Sequence, residues 1–169
     1  LLFGRFSKPS VNISFSSNAI ITPYQDATSL QFRIVNRRKV NLLEMEANVL
    51  LMVVDKSRST PIRKYFQLTL ERTSVYFFPL PWTIVHPIDK ISPLYNKTLE
   101  DLAKVHAEIL ILIKGFDETF GQTVHTRHSY RFDEIIWGAK FIPAFSIDAN
   151  GDVVLHLDDI NKMERVKLS

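Results

Sequence analysis

Apolar and polar residues alternate with period two along much of the chain. Leu30, Phe32 and Ile34 point one way and Gln31 and Arg33 the other, which predicts a strand buried on one face. The cluster Asn36-Arg37-Arg38-Lys39 interrupts the pattern, and a second strand is expected over about residues 42–54. In its first half Glu44, Glu46 and Asn48 alternate with Met45, Ala47 and Val49, whereas residues 50–54 are apolar on both faces. This strand is expected to pass from a wetted edge into the core. Phe66, Leu68 and Leu70 against Gln67, Thr69 and Glu71 predict a further strand, and an aromatic stretch at 75–78 precedes Pro79 and Pro81, which imply a sheet edge or bend.

One helix is expected to begin near Thr98. Thr98 and Asp101 have capping-box-like spacing, and Leu99, Leu102 and Val105 recur at helical intervals over two to three turns. Beyond it, residues 108–114, 122–130 and 133–137 suit strands. Two apolar runs, 141–147 and 153–157, flank Asn150-Gly151, a dipeptide that predicts a tight hairpin with positive φ at both positions. Many short strands and one helix imply an all-β sandwich.

A length of 169 residues with 46% hydrophobic content suits one domain with one core. The 21 basic and 18 acidic residues leave a net charge of +3, too small an excess to indicate nucleic-acid binding. The absence of cysteine excludes disulfides and thiolate metal sites and fits a reducing compartment. No apolar run reaches the roughly 18 residues a membrane-spanning helix requires. The opening Leu1-Leu2-Phe3-Gly4-Arg5-Phe6 reads as the beginning of a fragment: either the last turns of a membrane helix with its basic flank in the cytoplasm, or an ordinary first strand or loose end.

Candidate chemistry is thin. The five glycines form no phosphate-binding pattern, and no nucleophile elbow surrounds a serine. His125 and His128 fall on opposite faces if that segment is a strand, which argues against a shared metal. His86 and Asp89 suit a turn held by side-chain hydrogen bonds better than acid–base work. Asp117 and Glu118 are expected to be two solvated loop charges. No catalytic residue, metal site or cofactor is expected.

Two segments carry a family resemblance. Pro81-Trp82-Thr83-Ile84-Val85-His86-Pro87-Ile88-Asp89 continues to Ser92-Pro93-Leu94-Tyr95, and Arg127-His128-Ser129-Tyr130 continues to Asp133-Glu134-Ile135-Ile136-Trp137-Gly138. Both are similar in order and spacing to signature stretches of inward-rectifier potassium channels of the prokaryotic type. Weaker similarity at Phe15-Ser16 and at 46–49 extends the match over about residues 12–157.

The resemblance implies an immunoglobulin-like β-sandwich with one short helix at 12–169, preceded at 1–11 by the end of an inner membrane helix and a linker. It implies a homotetramer on the cytoplasmic side of a cell membrane, extending a potassium pathway and coupling lipid or ligand signals to a gate. The gating G-loop would fall on residues 115–122, with Phe116, Glu118, Phe120, Gly121 and Gln122 as its candidate residues. Glu46 matches an acidic pore position, and Glu44 is a weaker candidate for the same place. Where strong rectifiers carry a second glutamate this chain has Lys114, and Leu70 and Ser74 stand where a further ring has aspartates, which argues against strong polyamine block. Potassium ions, polyamines and divalent cations are the candidate pore occupants. Arg5 and Lys8 are the positional matches for binding anionic phospholipid headgroups, and the cluster 37–39 is a denser but more ordinary charge run. Apart from the resemblance, a soluble β-sandwich binding module for peptide or carbohydrate is the leading reading, with Tyr24, Tyr76 and Phe77 as exposed aromatics, ahead of an enzyme on a jelly-roll scaffold.

Overall fold

The computed structural model describes residues 12–37, 41–78 and 81–169. Arg5, Lys8, Arg38, Lys39 and Pro79 lie outside the described residues, and with them the lipid-binding expectation. One sheet contains β1 (Ile13–Phe15), β2 (Ala19–Tyr24), β3 (Ala27–Asn36), β7 (Trp82–Ile88) and β10 (Ile135–Trp137). The other contains β4 (Leu42–Asp55), β5 (Ile62–Gln67), β6 (Ser74–Phe77), β8 (Glu108–Asp117) and β9 (Gln122–Arg131). Strand order runs β1-β3-β2-β10 in the first, with β7 also on β3, and β5-β4-β8-β9 in the second, with β6 also on β4. All pairings are antiparallel except β2 with β10.

The sheets bury their alternating apolar sets against each other: Ile21, Leu30, Phe32, Ile34 and Ile84 from one, Met45, Val49, Leu51, Ile109, Ile111 and Ile113 from the other. Each such fully buried side chain contributes about 1.5–3 kcal/mol. The expected all-β, immunoglobulin-like sandwich with one short helix is what forms.

Several local expectations change. β4 is flanked along its length, by β8 on one side and by β6 and then β5 on the other, so its polar half is an outward face and not a sheet edge. The alternation at 66–71 is real, with Leu68 and Leu70 buried, but β5 ends at Gln67. There the chain crosses between sheets: Leu68 N–H donates to Val49 in one (2.9 Å) and Glu71 N–H to Val85 in the other (2.8 Å).

The helix α1 (Leu99–Lys104) has its capping box at Thr98 and Asp101 but only six residues. His106, at φ +48°, turns the chain into β8. Instead of a two-residue turn, β12 (Phe145–Ile147) and β13 (Val153–Leu155) are joined through 148–152. Asp148 accepts there from the N–H groups of Asn150 (2.8 Å) and Asp152 (2.9 Å), and of Asn150 and Gly151 only Gly151 has positive φ (+84°). β11 (Ala139–Phe141) pairs separately with β14 (Met163–Arg165).

Candidate functional site

The two signature segments prove to be locks on the sandwich. His86, buried in β7, donates through Nδ1 to the Thr69 carbonyl (2.6 Å), which leaves Nε2 to accept from the Ser92 hydroxyl (2.7 Å). Ser92 Oγ also accepts from Leu94 N–H (3.1 Å), and Asp89 Oδ1 accepts from the N–H groups of Ile91 and Ser92, both at 3.1 Å. The segment from His86 to Tyr95 is thus a self-satisfied turn fastening β7 to α1, as expected of a hydrogen-bonded loop. Burial pushes the His86 imidazole below its ordinary pKa, partly opposed by the Thr69 bond and by Asp89.

Tyr130 does the corresponding work across the core. From β9 its hydroxyl donates to the Ser16 carbonyl (2.7 Å) just after β1, in the opposite sheet. Desolvation raises the phenol's pKa. His128 lies over Phe15 with centroids 4.5 Å apart and meets Tyr130 edge-on, and burial lowers its pKa too. His125 is exposed, so the two histidines do occupy opposite faces. Among the described residues no group of three or more His, Cys, Asp or Glu is placed to hold a metal ion.

At the end of this second segment, Gly138 takes φ +76°, and a Cβ there would stand 2.8 Å from the Val166 carbonyl oxygen. Its N–H bonds Ile21 (2.9 Å) and its carbonyl accepts from Val166 (3.0 Å), tying β2 to the C-terminal segment.

The residues assigned to an ion pathway gather at one end of the second sheet. Register places Ser74, Glu46, Lys114 and His125 in one row across β6, β4, β8 and β9. Burial alternation turns this row to the outer face, since Met45, Ala47, Ile113 and Val124 beside it are buried. Lys114 Nζ lies 3.2 Å from Glu46 Oε2, with side chains 47% and 45% exposed, so the pair is wet and its charges are compensated locally. Glu44 sits at φ +51° in a β-bulge between Leu43 and Glu46. The bulge adds one residue to β4, so that Leu43, opposite Phe116, and Glu46, opposite Lys114, share the outer face.

The segment 115–122 divides into two parts. Gly115, Phe116 and Asp117 complete β8, and Gln122 begins β9. A Cβ on Gly115 would come within 2.3 Å of Met45 Sδ, so any larger residue here must displace the buried Met45 side chain. The turn itself is 118–121, with Gly121 at φ +64° and Phe120 47% exposed.

Asp117, expected to be solvated, is 1% exposed. Its Oδ1 accepts from the N–H groups of Thr119 (2.9 Å) and Phe120 (3.2 Å), and its carbonyl from Gly121 (2.8 Å), so the side chain folds inward to satisfy the turn. Glu118 is exposed as expected, and it accepts from Asn41 Nδ2 (3.1 Å) while its N–H donates to the Asn41 carbonyl (3.2 Å). Asn41 and the Asp117 cap were missed from sequence. An aspartate two and three residues before the N–H groups it serves was the available signal.

Over residues 13–169 the chain matches the family described as the inward rectifier potassium channel C-terminal domain. The chain belongs to the inward-rectifier potassium-channel family. It is 35% identical over 164 residues to the inward rectifier potassium channel Kirbac3.1 of Paramagnetospirillum magnetotacticum, covering 96% of this chain and 56% of that protein. It is also 30% identical over 158 residues to the G protein-activated inward rectifier potassium channel 1 of Bos taurus and of Homo sapiens, covering 87% of this chain and 31% of each. This inward-rectifier domain therefore spans about half of the bacterial relative and under a third of the animal ones. No described helix is long and apolar enough to cross a membrane. Of the inward-rectifier positions named from sequence, Ser74 is exposed in the Glu46 row, whereas Leu70 is only 8% exposed and belongs to the core.

Proposed function

We propose that four copies of this domain surround a common axis on the cytoplasmic side of the membrane and extend the potassium pathway of an inward-rectifier channel. The outer-face row Ser74-Glu46-Lys114-His125 then borders the cations, and the turn 118–121, with Phe116 and Gln122 flanking it, forms the gate. The observation that carries this reading is that register and bulge place Glu46, Lys114, Phe116 and the turn on one face at one end of one sheet. Such a face, repeated around an axis, concentrates its electric field on the solvent it encloses. Binding of anionic lipid headgroups through Arg5 and Lys8, and coupling of that signal to the turn, belong to the same reading. Residues 1–11 then supply the end of the inner membrane helix and the linker.

The Glu46–Lys114 pair sets the character of this pathway. A compensated row exerts little pull on polyamines or divalent cations while leaving potassium free to pass. Lys114→Glu would change the row from neutral to about −2 per chain, or roughly −8 around the axis. In the complete channel, potassium currents with spermine on the cytoplasmic side are expected to show block at least about tenfold stronger in Lys114→Glu than in the parent, equivalent to about 1.4 kcal/mol. Unchanged block in a conducting Lys114→Glu channel would contradict the placement.

A further inference from the structure

At the far end of the same sheet, about 30 Å from the turn by nine steps along β8 at roughly 3.3 Å each, lies a second feature that the ion-pathway reading does not use. A cavity of about 240 Å³ is lined by Arg63 of β5, Met52 and Val54 of β4, Glu108 at the start of β8, Arg131 at the end of β9, and His106 in the turn after α1. Its floor is apolar and its rim cationic. Arg63 stands opposite Val54, and Arg131 opposite Glu108, so two arginines from opposite edge strands of the sheet line one hollow on the same face.

The Arg63 guanidinium makes no ion pair or hydrogen bond with any described residue. Among the described residues the Arg131 guanidinium has a loose, exposed pair with Asp133 at 3.7 Å and lies over the Phe132 ring at 5.9 Å. Lys56 Nζ donates to His106 Nε2 (2.8 Å), which brings a third cation to the rim and leaves the ring proton on Nδ1. His106 is held in the left-handed backbone region, at φ +48°, in this position. Against these three cations stand the carboxylates of Glu108 and Asp133, so the excess is positive.

We propose that this cavity binds a phosphate-bearing anion, with Arg63 and Arg131 as its two forks and Lys56, steadied by His106, as a point charge. Guanidinium forks match the paired oxygens of phosphate, and an unpaired Arg63 gains partners without breaking any. The volume suits phosphate or diphosphate and falls below the roughly 300 Å³ at which sites for larger ligands begin, so a larger molecule would insert only its phosphate end. This site stands independently of the tetramer and of the row at Glu46.

Calorimetric titration of the chain with inorganic pyrophosphate, at constant ionic strength, tests it. Saturable binding at one site per chain is expected, weakened tenfold or more in Arg63→Gln and in Arg131→Gln, less in Arg63→Lys, and unchanged in Arg58→Gln, whose arginine lies outside the cavity lining. Both arginines are exposed, and thermal unfolding of each variant establishes that it is folded. No saturable heat, or an equal loss in Arg58→Gln, overturns the proposal. Phosphatidylcholine vesicles with and without a phosphorylated phosphatidylinositol separate the sources. Vesicle binding that pyrophosphate displaces and Arg63→Gln abolishes makes a lipid headgroup the occupant, and pyrophosphate binding without vesicle binding makes it a soluble phosphate. Vesicle binding that survives in Arg63→Gln, with no pyrophosphate bound by the parent, contradicts the site.

Discussion

Lys114 and Glu46 pair in the open, so the electrical role proposed for Lys114 can be separated from any part in stability. Exposed ion pairs contribute about 0–1 kcal/mol, so Lys114→Gln is expected to leave urea denaturation unchanged within about 1 kcal/mol. Tyr130 behaves oppositely. Its hydroxyl is buried with the Ser16 carbonyl as partner, and Tyr130→Phe leaves that acceptor unsatisfied at a cost of about 1–3 kcal/mol, read as a lower denaturation midpoint. His86 and His128 give the fold a pH dependence. Burial lowers both pKa values in the folded state, so below the ordinary imidazole value of about 6.5 the unfolded chain binds more protons than the folded one. Stability is therefore fully present above about pH 6.5 and falls as the pH drops below it. Denaturation at about pH 7.5 and 5.5 should show the loss, and it should be smaller in His86→Gln. A protein equally stable at both would refute this.

Where one face is buried, alternation makes a strand legible: β3 and the first half of β4 follow directly from Leu30 and Met45 and their neighbours, whereas residues 109–113 of β8 are apolar at every position and read as a strand only from their aliphatic run. The helix was legible from its cap, but not its length, because the turn at His106 is set by where β8 must begin. Leu68 and Leu70 misled for a physical reason: an extended crossing between sheets alternates just as a strand does. The site was half legible. Strand parity put His125 and His128 on opposite faces, and the family resemblance singled out Glu46, Lys114 and Ser74, but the meeting of Glu46, Lys114, Ser74 and His125 in one row depends on cross-strand register and on the bulge at Glu44, which no local pattern encodes. The family resemblance put Gly115 in the loop, whereas here it lies within β8 and makes room for Met45. Gly115→Ala is accordingly expected to cost about 1–3 kcal/mol by overpacking, since the thioether can partly give way. Gly138→Ala should cost more, because Val166 presents backbone and φ is positive. Thermal unfolding of the two variants should place Gly138→Ala lower.

Within the whole molecule, the residues that fasten the sandwich lie apart from those proposed to act on ions and anions. His86, Tyr130 and Gly138 hold the two sheets and the C-terminal segment together, while the outer face of the second sheet carries the charged row at one end and the cationic hollow at the other. The central claim is that the row at Glu46 borders travelling cations. The chain contains no cysteine, so a single one can be introduced cleanly. In the complete channel, otherwise free of cysteine, Glu46→Cys is to be modified from the cytoplasmic side with a positively charged thiol reagent while potassium current is recorded. The account predicts a fall in current after modification, and slower modification when potassium or spermine occupies the pathway. Full labelling of the introduced thiol, verified by mass, with current unaltered would contradict it.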